Sequence, residues 1–317
     1  MKRNALIIFF VLGIALAFSP LMFHTQPYFW RIASLYMLSV IISAGLHLVT
    51  GMARVVSLCH VSFCGVGAYV AGRLALSAGM PPIVAIASGA AMAGATALVL
   101  AWVTLSLEDL YLTLATLAAS EILSNIFRSW TVVTGGANGL IGIPPISILH
   151  VSLASPERYF IFCTLAAGAT IALIILLEES VFGKALRAVG DAEILVESFG
   201  LRRDVLRLFA FSIGGALAGL AGGIAAHIDG FVGPESFGVA QSVSYLCFLV
   251  IGGIGRLRSA FIAGAFAVFA TELLRGFQGW QMVILSALVI ASLCWSARTR
   301  SVLRTRRLLL RMPQTEN

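Results

Sequence analysis

The stretch FGKALRAVGDAEILVESFGLRRDVLRLF, residues 182–209, is followed directly by the apolar run AFSIGGALAGLAGGIAA, residues 210–226. The first part is charged and helix-prone, whereas most of the chain is hydrophobic. Lys184, Arg187 and Asp191 share one side of a short helix, and Leu186 and Val189 lie on its apolar side. A helix this short is marginal alone in water, so it should rest against something.

We call residues 178–207 the handle, and its residues alone leave two interpretations open. It is either a solvated connecting loop that carries positive charge on the cytoplasmic side of a membrane, or a docking helix for a cytoplasmic subunit. The apolar run after it contains glycine at four-residue steps on one helix face, at Gly215, Gly219 and Gly223. This spacing predicts that two helix backbones approach closely in lipid, and it indicates no substrate.

Composition places the chain in a membrane, because 59% of its 317 residues are hydrophobic and only 11% are charged. The net charge of +7 does not indicate nucleic-acid binding, since the basic residues lie between and after apolar spans. Neither of the two lysines, Lys2 and Lys184, lies in a GxxxxGK[ST] phosphate loop, so the chain has no ATPase site of that type. The five cysteines fall in apolar stretches and suit small apolar fillers rather than a disulfide framework or metal site.

Apolar runs predict an all-α polytopic bundle of about ten transmembrane helices. All but five of the 21 Lys and Arg residues fall on one side if the N-terminus is cytoplasmic, which puts the handle and both termini inside the cell. We predict a single domain over residues 1–296, followed by a basic cytoplasmic tail over residues 297–317. Two inverted halves of five spans are compatible with this count. The predicted spans are 5–23, 32–50, 56–77, 83–104, 110–128, 157–177, 208–227, 239–254, 259–275 and 281–296.

Glu121 lies near the middle of the fifth predicted span, with Asn125 and Arg128 on the same face. An ionisable residue at that depth is costly and should face protein or water. It indicates either the translocation path or an interhelical hydrogen bond that fixes packing. The segment of irregular backbone after this span adds further candidates for the path or an outer gate. These candidates are Thr134, Gly135, Gly136, Asn138 and Gly139.

No nucleophile with a neighbouring base can be found, and neither HExxH nor GxSxG occurs, so enzyme activity is not predicted. An ion-coupled secondary carrier is the stronger alternative, because Glu121 could serve as its coupling site. Against it, a self-contained carrier does not need the handle. We expect His47, His60 and His227 to make hydrogen bonds within the fold.

Six motifs resemble those of the M-type permease subunits of bacterial ABC importers for branched-chain amino acids. The resemblance covers about residues 35–296, and TGGANGL followed by the handle and GFVGPESF is its most specific part. The motifs are SLCHVSFCGVGAYVAG (57–72), LYLTLATLAASEILSNI (110–126), TGGANGLIGIP (134–144), FGKALRAVGDAEILVESFGL (182–201), LFAFSIGGALAGLAGGIAAHIDGFVGPESF (208–237) and GGIGRLRSAFIAGAF (252–266).

The resemblance implies a non-catalytic, multi-pass subunit of the bacterial inner membrane that needs no cofactor or metal of its own. Its implied partners are a second similar permease, two cytoplasmic ABC ATPases, an extracytoplasmic solute-binding protein and membrane lipid. The motifs do not separate branched-chain amino acids from urea or short amides. The ATPase-coupling residues that it implies are Gly183, Lys184, Arg187, Asp191, Glu193 and Gly200.

Overall fold

The computed structural model describes residues 27–104, 107, 109–148, 151–191, 202–273 and 287. Helices dominate it, and the strands are only two residues long each. The elements are α1 (Pro27–Leu46, continued by a π-helix His47–Met52), α2 (His60–Ser77), α3 (Pro82–Val103), α4 (Asp109–Ser129), α5 (Thr131–Thr134), β1 (Leu140–Ile141), β2 (Ser147–Ile148), β3 (Val151–Ser152), α6 (Pro156–Glu179), α7 (Val181–Asp191), α8 (Arg203–Asp229), β4 (Phe231–Val232), α9 (Val239–Gly252), α10 (Arg258–Ala265, continued by a π-helix Phe266–Ala270) and α11 (Thr271–Leu273).

Among the described residues, five helices are long and apolar enough to cross a membrane, and α9 is a shorter apolar helix. This is the all-α membrane architecture that the composition predicts. The predicted spans 5–23 and 281–296 lie outside the described residues apart from Ala287, so the total of ten spans stays a prediction. The five long helices are Pro27–Met52, Pro82–Val103, Leu110–Ser129, Pro156–Glu179 and Arg203–Asp229.

Helix α8 packs at the centre of the bundle against α2 and α3 through residues without bulky side chains. A Cβ added at Gly219 would lie 2.3 Å from Ala93 Cβ, and one at Gly215 would lie 2.4 Å from Ala97 Cβ. On another side of α8, a Cβ at Gly222 would lie 2.0 Å from the carbonyl oxygen of Cys64. Such backbone approach is the form of helix association that lipid-embedded proteins use.

Two of the helices start inside the bundle rather than at its end. The predicted span 56–77 becomes helical only at His60, whose Nε2 lies 3.0 Å from the carbonyl oxygen of Ile42. The amide of Val61 donates to Ser242 Oγ near the start of α9 at 3.2 Å. The irregular backbone before α2 is also bonded, since the Leu58 amide donates to Thr116 Oγ1 at 3.1 Å. Such backbone is tolerated at membrane depth because protein covers it.

The glycine-rich segments around residues 140 and 231 pair at one end of the bundle, which we call the loop end. Leu140 is opposite Val232 in an antiparallel pair of β1 and β4. The Nδ1 atom of His227 lies 2.7 Å from the carbonyl oxygen of Pro144. Tyr159 secures this end further, because its hydroxyl donates to the carbonyl oxygen of His227 at 2.9 Å. The opposite end, where α7 lies, is the handle end.

Candidate functional site: the handle joint and the exposed face of α4

Helix α7 forms the first half of the handle and lies with its apolar side against the bundle. Leu186 and Val189 are buried, as the apolar pattern of the sequence predicts, and Ala185 is buried beside them. Phe182 makes an edge-to-face contact with Phe209 of α8, with 6.2 Å between the ring centroids. Helix α8 already begins at Arg203, so the end of the handle is helical rather than a loop. Of the predicted coupling residues, Asp191 is the last residue of α7, while Glu193 and Gly200 lie outside the described residues.

The first turn of α7 requires a residue without a side chain where it passes the end of α6. A Cβ added at Gly183 would lie 2.0 Å from the carbonyl oxygen of Leu177. The amide of Gly183 donates to Ser180 Oγ at 3.1 Å, and this hydroxyl donates in turn to the Leu177 carbonyl at 2.6 Å. Gly183 therefore lets α7 fold back closely on the end of α6.

A charged cluster, which we call the joint, connects α7 to the end of α1. Glu178 Oε1 accepts from Arg187 Nη2 at 2.7 Å and lies 2.9 Å from His47 Nε2. The His47 side chain is fully buried, and only 16% of the Glu178 side chain is exposed. Arg187, predicted to meet an ATPase, thus makes an ion pair within the chain, although 39% of its side chain stays exposed. One carboxylate holds three helical segments together.

The π-helical continuation of α1 and the residues after it are the surface on which α7 rests. A Cβ added at Gly190 would lie 2.7 Å from the carbonyl oxygen of Met52 and 2.6 Å from Arg54 Cγ. Arg54 has a φ of 59°, in the left-handed region that non-glycine residues seldom adopt. Single π-turns occur frequently at functional sites. The handle therefore meets irregular backbone at the point where it touches the first described span.

Sequence reasoning does not find the joint. It predicts hydrogen bonds of His47, His60 and His227 within the fold, and all three are confirmed. It gives Glu178 no role, because an acidic residue at the end of an apolar run is an ordinary helix terminus. A signal is present nevertheless, since Glu178 precedes Arg187 by nine residues across a turn that glycine makes tight.

Helix α4 has one buried polar face and one exposed face. Thr116, Ser120 and Ser124 are buried, and Ser120 Oγ lies 2.7 Å from Ser62 Oγ of α2. Glu121 and Asn125 are exposed on the other face, in the middle and second half of the helix. No hydrogen-bond partner of Glu121 is found within the part of the chain that the structure describes. Within that part, the predicted interhelical hydrogen bond is absent, and the carboxylate faces outward.

The segment after α4 folds back onto the end of that helix. Thr134 is buried, and its hydroxyl lies 2.8 Å from the carbonyl oxygen of Phe127 and 2.7 Å from that of Trp130. The Gly136 amide donates to Thr134 Oγ1 at 3.2 Å. Thr134 thus fixes the entry into the segment by local side-chain-to-backbone hydrogen bonds.

Glycine is required in this segment because the backbone turns repeatedly into the left-handed region. Gly135, Gly136 and Gly139 have φ values of 77°, 64° and 70°. A Cβ on Gly139 would also lie 2.1 Å from the carbonyl oxygen of Val232. Asn138 is exposed at the loop end. The predicted path residues therefore form one continuous feature, the exposed face of α4 and the loop that caps it.

Comparison with known proteins gives a consistent family. A family model described as the permease component of branched-chain amino acid transport systems matches residues 28–293. The chain is 29% identical over 287 residues to the high-affinity branched-chain amino acid transport system permease protein LivM of Escherichia coli, covering 83% of this chain and 68% of the relative. The LivM protein of Salmonella typhimurium is 28% identical over the same shares of both chains.

A second group of relatives matches a smaller part of the chain. The autoinducer 2 import system permease protein LsrC of Yersinia enterocolitica is 29% identical over 136 residues, which cover 42% of this chain and 36% of the relative. No solved structure matches the chain significantly. Because the family model spans most of the sequence, the chain belongs to the family of permease components of branched-chain amino acid transport systems.

Proposed function

We propose that this chain is one of two similar permease subunits of an ABC importer that carries branched-chain amino acids across the bacterial inner membrane. ATP would be hydrolysed by two cytoplasmic ATPases, and an extracytoplasmic binding protein would deliver the solute. The observation that carries the proposal is the joint. Helix α7, which carries the exposed Lys184, is clamped by Glu178 to the end of the first described span.

The proposal includes the predicted topology. Residues 1–296 form one permease domain of about ten spans, arranged as two inverted halves, and both termini and the tail 297–317 are cytoplasmic. The handle end then faces the ATPases, and the loop end faces the binding protein. Support comes from the basic residues at the handle end, among them Lys184 and Arg187, where positive charge favours retention in the cytoplasm.

The second permease subunit would cover the exposed face of α4. Placing an ionised residue at mid-membrane against lipid costs about 3 kcal/mol on insertion scales. Glu121 has no partner among the described residues, so a protein surface or a water-filled path at that face would remove the cost. We propose that this face, with Thr134–Gly139 as an outer gate, lines the translocation path between the two permeases.

The decisive experiment is co-purification of this chain with the products of neighbouring genes, followed by reconstitution in liposomes. We expect an ATPase to co-purify and leucine-loaded binding protein to stimulate its activity and leucine uptake. If only urea or a short amide stimulated the ATPase activity, the chain would still be an importer subunit, but its substrate would not be a branched-chain amino acid. Solute movement by the isolated chain under an ion gradient, without an ATPase, would instead establish the secondary carrier.

Replacing Glu121 by Gln should lower the initial uptake rate about tenfold, equivalent to about 1.4 kcal/mol, without reducing the amount of assembled complex. The physical reason is loss of the charge that the path presents to the solute. Uptake and ATPase co-purification are measured together in the same membranes. Glu157→Gln is the control, because Glu157 is exposed in the first turn of α6 and the substitution removes the same charge elsewhere. Unchanged uptake in Glu121→Gln would leave Glu121 with no transport role.

Lys184 of α7 is exposed and is expected to contact the ATPase. Reversing its charge with Lys184→Glu should reduce ATPase retention during co-purification about fivefold, and more in low salt, because such contacts are screened by ions. The matched control is Lys184→Arg, which keeps the charge at the same position. Equal retention of the ATPase by both variants would remove Lys184 from the contact.

A further inference from the structure

Two neighbouring chambers lie on the loop-end side of the bundle, the first among α1, α6 and α8 and the second among α1, α2, α8 and α9. One has a volume of about 420 Å³ and borders Tyr28 and Tyr159, and the larger one has about 520 Å³ and borders α2 and α9. Both chambers are lined by Arg31 and Asp229, so this pair of residues lies between them. Chambers of this size are typical of small-molecule sites.

The pair supplies both signs of charge at one place. Arg31 Nη2 donates to Asp229 Oδ1 at 2.8 Å, joining the first turns of α1 to the last residue of α8. The two side chains are 58% and 34% exposed. An exposed ion pair contributes little to stability, so its partners can be exchanged for those of a ligand. A guanidinium matches the geometry of a carboxylate, and a carboxylate accepts from an ammonium group.

The walls of the larger chamber are mostly apolar. Leu35, Leu38 and Ile42 of α1 lie on one side, and Phe231 and Val232 lie on another. These side chains offer an aliphatic group a place away from water, while the charges stay at the exposed rim.

The chamber reaches the part of the bundle where α2 and α9 begin. Val61 and Cys64 of α2 line it there, with Gln241 and Tyr245 of α9. The Tyr245 hydroxyl is already used, since it donates to Ser39 Oγ at 2.9 Å. The charged groups that a ligand could meet are therefore concentrated at the Arg31–Asp229 rim.

We propose that the larger chamber binds a small zwitterion with an aliphatic side chain. The ligand carboxylate pairs with Arg31, its ammonium group pairs with Asp229, and its side chain enters the apolar chamber. This assignment rests on the proposed function and adds a solute-binding site within the single subunit. The site is distinct from the exposed face of α4. The site would receive the solute at the loop end before it enters the path between the subunits.

The test uses the purified complex of both permeases and the ATPases in lipid nanodiscs, without the binding protein. Binding of radiolabelled L-leucine is measured, with competition by 4-methylpentanoate, which lacks the ammonium group, and by isoamylamine, which lacks the carboxylate. We expect saturable leucine binding and competition at least tenfold weaker by either analogue. Equal competition by one of the analogues would overturn the zwitterion assignment.

Three substitutions place the ligand in the chamber. Arg31→Gln and Asp229→Asn should each weaken leucine binding at least tenfold, and Ala225→Leu should do so by filling the larger chamber, which Ala225 lines. Arg158→Gln and Ala95→Leu are the matched controls, on the exposed start of α6 and the exposed face of α3, and should leave binding unchanged. Undiminished binding in Ala225→Leu would overturn the proposal.

The double variant Arg31→Asp with Asp229→Arg separates a purely structural role of the ion pair from a role in ligand binding. It restores an ion pair between α1 and α8 but exchanges the positions of the two charges. If the pair only clamps α1 to α8, the double variant recovers leucine binding in full, and the proposal is overturned. We expect assembly to recover and leucine binding to stay low. Failure of this binding-site proposal can be told apart from failure of the proposed function. The proposed function fails only if the unaltered complex shows no leucine uptake and no stimulation of its ATPase.

Discussion

Gly222→Ala is expected to leave little folded protein in the membrane. The added Cβ would lie 2.0 Å from the Cys64 carbonyl oxygen and 2.8 Å from its carbonyl carbon. Both atoms belong to the backbone of α2, so no side-chain movement relieves the contact. Overpacking of this kind costs about 3 kcal/mol, against about 1 kcal/mol gained from helix propensity. We expect at least about a fivefold fall in the monodisperse protein recovered after solubilisation, measured by size-exclusion chromatography and thermal unfolding.

Gly223→Ala is the matched control, because it makes the same change one residue further along α8. Its Cβ would lie 3.3 Å from Ala71 Cβ and 3.4 Å from Ile86, so a shift of the Ala71 methyl group by a few tenths of an ångström accommodates it. We expect recovery and unfolding temperature to remain near those of the unaltered chain. Similar losses in both variants would mean that any side chain on this part of α8 is harmful and that the α2 contact has no special weight.

The row of small residues shows how far the sequence predicts the packing. Four-residue spacing identifies Gly215, Gly219 and Gly223 as one face, and that face packs against neighbouring helices, chiefly α3. The spacing does not reveal that a Cβ at Gly223 would be only slightly too close to its neighbours, whereas one at Gly222 would overlap the backbone of α2. That difference depends on where Cys64 lies in α2, and α2 begins late because residues 53–59 are irregular. A position in another helix cannot be deduced from local periodicity.

The loop end is predictable in its backbone type but not in its contacts. Glycine and proline indicate irregular backbone in the segment after α4, and the structure contains it there. The pairing of Leu140 with Val232 is not predictable, because each strand has only two residues and no alternation to recognise. His227 bonds to Pro144 across the same gap, and no local signal connects residues 83 positions apart.

The handle is predictable from its charge, and its buried side from the positions of Leu186 and Val189. The joint is not, because its effect depends on two residues that are 131 positions apart, His47 and Glu178. Glu178 and Arg187 lie in two different helices, on either side of a turn, so helical periodicity does not connect them either. The sequence therefore predicts that the handle differs from the rest of the chain, but not that Glu178 connects it to the end of α1.

Glu178→Gln is expected to lower the solute moved per ATP hydrolysed about tenfold, equivalent to about 1.4 kcal/mol of coupling between the sites. The substitution keeps the shape of the side chain and removes the negative charge that Arg187 and the buried His47 share. Without this charge, α7 can move with an ATPase while the end of α1 does not follow the movement. The ratio of uptake to ATP hydrolysis is measured in proteoliposomes with the binding protein present.

Glu179→Gln separates this role from a general effect of charge at the handle end. Glu179 is the neighbouring residue on the same helix and is exposed, so its neutralisation changes the local charge equally without touching the joint. We expect its ratio to stay near that of the unaltered complex. An unchanged ratio in Glu178→Gln would show that the joint only supports the fold, whereas loss of ATPase co-purification would assign Glu178 to docking. Persistent ATP hydrolysis with little uptake in Glu178→Gln is the result that would assign Glu178 to coupling. The ATPase would then still bind and hydrolyse ATP, but the movement of α7 would no longer reorient the spans.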